Sequence, residues 1–245
     1  MMKRRLFVLI KGELVRLNKY NVFSISVFVA VIWGTILFFL NEDALGSVLP
    51  FVLLIDATLM GVMYIGAVTY FEKSESTIST LLVTPIKNSE LVLSKVISNV
   101  LHNLFSSTLI ILVFVFIKNI DINLFLIFLA LISSTSFFTV GGLCLSYYQK
   151  DFTTMLVNIM IISFILLIPS ALYLFGLLSS PVWEYILLFN PIQAAQEIIM
   201  GAFGGYEFTY RYFVSLAYML VGSILLYLFF ALPKFQKYAV KQSGV

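Results

Sequence analysis

Residues 48–70 read VLPFVLLIDATLMGVMYIGAVTY, twenty-three positions with one charged side chain, Asp56. At about 1.5 Å per residue such a helix reaches across a hydrocarbon core about 30 Å thick. Polar and apolar residues do not alternate along it, which argues against a strand of a membrane barrel. Its length also exceeds that of most buried helices in soluble cores. The stretch predicts a transmembrane helix.

Five further runs share this character: 22–40, 91–117, 124–147, 156–178 and 213–232. Composition agrees with them. Of 245 residues, 61% are hydrophobic and only 11% charged, and the mean hydropathy is +1.04. Soluble chains are near half apolar and a quarter charged. Fifteen basic against twelve acidic residues give a net charge of +3, too small a surplus to suggest a nucleic-acid partner. The expected fold class is an all-α membrane protein of six transmembrane helices, forming one domain over residues 1–245.

The segments between the runs orient the bundle. Lys and Arg number six in 1–21, three in 71–95, one in 148–155 and three in 233–245. These thirteen fall on one side, against Lys118 and Arg211 on the other. The positive-inside rule then places both termini in the cytoplasm of a multi-pass protein. Met1 to Arg5 resemble the basic start of a signal peptide, but the apolar stretch 6–10 is too short for one. Residues 3–20 instead read as an amphipathic interfacial helix. Leu6, Phe7, Ile10, Leu14 and Leu17 fall on one side of it, and Arg4, Arg5, Lys11, Arg16 and Lys19 on another. The same cations would also serve as a simple topology signal.

Loop 71–90, FEKSESTISTLLVTPIKNSE, is the longest inner connection. Ser74 or Ser76 can cap a short helix running to about Val83, which Pro85 ends. Asn88 is expected to cap the third span, with Glu90 in its first turn. A short apolar-faced helix held between two spans suits a protein partner. The outer segment 179–212 holds two stretches, 183–189 and 192–203, each too short to span and separated by Asn190-Pro191. They predict two short helices at, or re-entering, the outer interface. Gly201 and Gly205 form a GxxxG, a weak dimerisation signal in a loop.

Catalytic patterns are missing. The sequence holds no HExxH, no GxSxG and one cysteine, Cys144, which reads as a small packed residue beside Gly141 and Gly142. Gly61 and Gly66 have the spacing of a phosphate loop, but Ala67-Val68 stands where Lys and Ser or Thr would hold phosphate and Mg²⁺. The chain is therefore expected to bind no cofactor or metal and not to be an enzyme. Polar residues within spans remain. Asp56 is a candidate coupling carboxylate, or a polar group satisfied by neighbouring Ser and Thr. His102, with Asn99 and Asn103, marks an interhelical hydrogen-bond patch or a proton relay. Ser133, Ser134, Thr135 and Ser136 predict close helix packing.

Six spans, an amphipathic first helix, and a loop reading Glu72-Lys73-Ser74-Glu75-Ser76-Thr77, then Leu81-Leu82-Val83-Thr84-Pro85-Ile86, Glu90 and Ser94-Lys95, resemble an ABC-2 type transporter permease. The helical insertion around Phe189-Asn190-Pro191 fits the same family, so the resemblance covers nearly the whole chain. Ser76-Thr77 departs from it, since many members carry a Gly there. The resemblance implies a bacterial plasma-membrane exporter in which this chain is one of two permeases, a homodimer or a close heterodimer. Two separate ATPase subunits would carry ATP and Mg²⁺. It implies a coupling helix in 72–86, with Glu72, Glu75, Ile78, Leu81, Leu82, Thr84 and Pro85 as coupling residues. Trp183, Tyr185, Phe189, Asn190 and Phe203 are expected to bound the outer mouth of a pathway between the permeases. The aromatic, nearly uncharged spans suit an amphipathic cargo, a peptide toxin or a drug. Two other readings stand beside this one: an ion-gradient transporter or channel using Asp56 and His102, and a non-transport immunity or assembly factor.

Overall fold

The computed structural model describes residues 2–40, 42–75, 77, 86–117, 121–149, 151–174, 176–235 and 238. Among the described residues all regular structure is helical, apart from a single antiparallel bridge between Ile122 and Phe203. Helix α1 (Met2–Lys19) meets α2 (Val22–Phe38) at a bend of 62° between their axes. The bend turns on Asn21, whose φ of 58° lies in the left-handed region that Asn tolerates better than most residues. Helix α2 has 17 residues, about 26 Å of rise, and does not reach Leu40 as expected. Among the described residues five helices are long and apolar enough to cross a membrane, and α1 with α2 makes a sixth only as a bent pair.

The second span is one continuous rod in three pieces: α3 (Glu42–Ile55), a π-helical segment (Asp56–Met60) and α4 (Gly61–Ser74). It starts six residues earlier and ends four later than the apolar run alone indicates, so most of the expected outer loop 41–47 is helical. Ser74 lies in its last turn, where the hydroxyl donates back to the Phe71 carbonyl at 2.9 Å instead of capping a new helix. The alternative cap, Ser76, lies outside the described residues.

Helix α5 (Asn88–Ile117) starts at Asn88 itself, so Asn88 lies inside the helix and is not its cap. The cap expected of Asn88 falls to Glu90, whose carboxylate accepts the Lys87 backbone N–H at 3.2 Å. Helix α6 (Leu124–Ser146) is capped by Asn123. Helix α7 (Phe152–Leu174) is capped by Asp151, which accepts the Thr154 N–H at 2.8 Å and its hydroxyl at 2.7 Å. Those donors hold the Asp151 carboxyl below the usual carboxylate range. Two short helices follow, α8 (Pro181–Leu187) and α9 (Pro191–Met200). Helix α10 (Tyr210–Leu226) then runs through a second π segment (Tyr227–Ala231) towards Phe235.

Packing ranks these elements. The apolar window of the second span is 67% buried, that of α7 17% and that of the last span 11%. Helices α4 and α6 cross so closely that a Cβ on Gly142 would lie 2.7 Å from Ile65 Cγ2 and 3.2 Å from Val62 Cα. Helix α9 re-enters the protein, with Ala194, Ala195, Ile198 and Ile199 buried against α3, α6 and α10. Gly201, just beyond it, meets the Tyr212 ring and Gly205 takes a φ of +80°, so this GxxxG serves a turn and not a helix pair.

Candidate functional site

Two polar sites lie inside this apolar frame. The first is ionic and sits at the end of the bundle that carries α1. Glu72, in the last turn of α4, is fully buried. Its carboxylate accepts from Arg16 of α1 and from Lys95 of α5. Lys95, itself buried, also donates to Glu13 of α1 at 3.0 Å. Two cations and two anions from three helices thus neutralise one another where neither sign could stand alone. Three residues on, Glu75 is exposed and accepts from the Tyr20 hydroxyl at 2.8 Å and from Lys19 at 3.4 Å. The Tyr20 hydroxyl holds the Glu75 carboxyl below its ordinary range. Both carboxylates that open loop 71–90 are therefore tied to the N-terminal helix and the turn that follows it. Glu72 has no surface to offer a partner, whereas Glu75 has.

Ile78, Leu81, Leu82, Thr84 and Pro85 lie outside the described residues. The wheel reading of α1 needs one change. Leu17 is buried but Phe7 is 67% exposed, and Glu13 meets Lys95 of α5 while Arg16 meets Glu72 of α4. Leu14 and Leu17 pack with Tyr64 and Val68, and Leu9 against the cluster of Leu91 and Val92, so the ion pairs add to apolar contacts.

The second site is a polar seam on α5. Asn99, Asn103, Ser106 and Ser107 recur at helical spacing and line the face turned to the second span. The π segment explains why they meet. Gly61 N–H reaches back five residues to the Asp56 carbonyl, and Asn103 Nδ2 donates to that same oxygen at 2.8 Å. Asn99 Nδ2 donates to the Gly61 carbonyl at 3.1 Å and to the Thr139 hydroxyl at 2.7 Å. The Asp56 carboxylate accepts from Ser106 at 2.9 Å and from Ser107 at 2.6 Å. Thr135 donates to Asn103, which draws α6 into the seam.

His102 points away from this seam. Its Nε2 lies 3.0 Å from the Ser26 hydroxyl of α2, and its ring meets Phe23 and Tyr64 edge-on. Among the described residues no hydrogen bond joins Asp56 to His102. Ser106 and Ser107 escaped the sequence reading. The signal was their helical spacing from Asn99 and Asn103.

At the opposite end the five expected mouth residues separate. Tyr185 and Phe189 are exposed and Trp183 is half-buried. Phe203 packs on the core and pairs with Ile122. Asn190 is buried and structural. It caps α9 through the Ile192 N–H, and its amide donates to the Leu166 carbonyl at 2.7 Å and to Ser170 at 3.0 Å. That contact lies next to Pro169, which has no N–H to give to the α7 ladder.

The bundle and its apolar helices define a membrane protein. The family model described as the fluoroquinolones export permease protein family matches residues 4–243. The match spans nearly the whole chain, and the chain belongs to that family. It is thus a permease, a component of transport and not an enzyme. No curated protein matches it.

Proposed function

We propose that this chain is the membrane subunit of an ATP-driven ABC-2 type exporter in the bacterial plasma membrane, with both termini in the cytoplasm. Two permeases would combine with two ATPase subunits, and a fluoroquinolone or a related amphipathic drug is the cargo. The observation that carries the reading is the ionic cluster of Glu13, Arg16, Glu72 and Lys95. It supports a mechanical role for the loop that follows Glu72. A push on that loop reaches the second span, the third span and the N-terminal helix together, because buried charges cannot separate cheaply. The drug cargo is supported by family membership.

The test uses the permease co-expressed with a P-loop ATPase subunit sought among the neighbouring reading frames. Glu75→Ala with Leu82→Ala should abolish co-purification of the ATPase and stop drug-stimulated ATP turnover, while the permease remains folded in the membrane. Unchanged co-purification and turnover in the double variant would defeat the proposal.

A further inference from the structure

A lateral cleft of about 300 Å³ lies between α4, α6, α7 and the end of the last span. This is at the lower end of the range of about 300–1,000 Å³ for pockets that take drug-sized molecules. Val62, Phe137, Phe138, Ile159, Ile162 and Leu166 give it apolar walls. Gly141 supplies the space on the α6 side, since a Cβ built there meets no atom within 4 Å. The neighbouring Gly142 is closed off by Ile65.

Lys234 is the basic group in the lining. Its ammonium stands 4.7 Å from the ring centre of Tyr148 and 5.1 Å from that of Phe230. Among the described residues no carboxylate pairs with Lys234, whereas Arg16, Lys19, Lys95 and Arg211 each have one. A second lateral groove, about 590 Å³ between α5, α6 and α10, offers a contrast. Its lining is mainly aliphatic and includes no basic residue, as suits lipid chains. The smaller cleft alone combines aromatic walls with a cation that lacks an anion. Such a half-buried ammonium favours a negative group brought in with a flat apolar body.

We propose that this cleft binds a flat amphipathic carboxylate, its rings between α6 and α7 and its carboxylate on the Lys234 ammonium. The choice of ligand class rests on the drug-export reading. The geometry of the cleft does not.

The test measures binding of ciprofloxacin and of its methyl ester to the full-length permease in phosphatidylcholine nanodiscs. Lys234→Gln should weaken binding of the acid about tenfold and cause no comparable loss for the ester, because the ester has no carboxylate to pair with the ammonium. Lys234→Arg should restore the acid. Gly141→Leu, which fills the cleft, should weaken both. As a second readout on the unaltered chain, either compound should slow alkylation of Cys144 by N-ethylmaleimide, since this one cysteine lines the cleft. That readout decides the matter if Gly141→Leu lowers thermal stability. Undiminished binding of the acid in Lys234→Gln, equal losses of acid and ester in that variant, or no protection of Cys144 would overturn the proposal. So would loss of co-purifying phosphatidylglycerol in Lys234→Gln with drug binding unchanged, which assigns the cation to a lipid headgroup. Drug efflux from cells that persists in Gly141→Leu overturns the cleft and leaves the export reading standing. Binding in the cleft by a permease that drives no efflux supports the cleft and overturns the export reading.

Discussion

At the scale of single residues, Asp56 is the case where a bland role and a sharp one diverge. Its carboxylate has two serine donors, Ser106 and Ser107, and its backbone oxygen has a third partner in Asn103. A carboxylate so held completes the seam between the second and third spans. Asp56→Asn keeps one oxygen acceptor and adds an amide donor, and a serine hydroxyl can turn to accept it. Interhelical hydrogen bonds in membranes average about 0.6 kcal/mol, a factor of about three. Drug efflux by Asp56→Asn should therefore stay within about threefold of the native rate. Loss of efflux in a folded, ATPase-competent variant would instead make Asp56 a proton-coupling group. The sequence exposes Asp56 and the Asn99–Asn103 patch but not their union. Which turn of α5 faces Asp56 depends on the extra residue of the π segment, and a regular helical period does not register it.

At the scale of elements, the apolar runs were legible because a spanning helix needs length and hydrophobicity and little else. Their true ends were not, since polar residues at Glu42 and Ser74 continue the helix beyond the apolar stretch. Helix α9 shows a related limit. Ten residues cannot span, so length alone assigns it to the interface, yet Ile192, Ala195 and Ile199 recur at helical spacing and are buried in the core. Contacts between elements turn on smaller features still. Gly141 and Gly142 are alike in sequence, but one faces the open cleft and the other the α4 backbone. Gly142→Ala should destabilise the protein by about 1–3 kcal/mol, because the new methyl presses on Ile65 and on the Val62 backbone. Gly141→Ala should be neutral or slightly stabilising, since it adds helix propensity in open space. Thermal unfolding of the two detergent-solubilised variants provides the comparison. Equal loss in both would refute the close α4–α6 crossing.

At the scale of the whole molecule, the centre of one copy is full. Gly142 closes the α4–α6 crossing, the α5 seam joins its polar groups to one another, and among the described residues the two clefts above lie on lateral faces. A drug-sized solute moving across must then use a side of the bundle, and a second copy would turn that side into a wall. Helix α7, whose other face lines the smaller cleft through Ile159, Ile162 and Leu166, offers an exposed outer face. Val157, Ile161, Phe164, Ile165 and Ile168 lie along it at helical spacing and are exposed in the single chain. Exposure alone does not choose between a protein and a lipid neighbour, since lipid chains cover apolar side chains equally well. Because α7 is itself a wall of the cleft, a second copy docked on its outer face would reach the edge of the cleft, and the expected interface is placed there. In a Cys144→Ser background, Ile165→Cys should therefore cross-link to its counterpart in native membranes with a short bismaleimide. Phe229→Cys, on the exposed side of the last span, should not. The purified complex should weigh as two permeases of 27.7 kDa with two ATPase subunits. Cross-linking through Phe229 in place of Ile165 would move the interface to the last span, and a transport-competent assembly with one permease would remove the need for an interface at all.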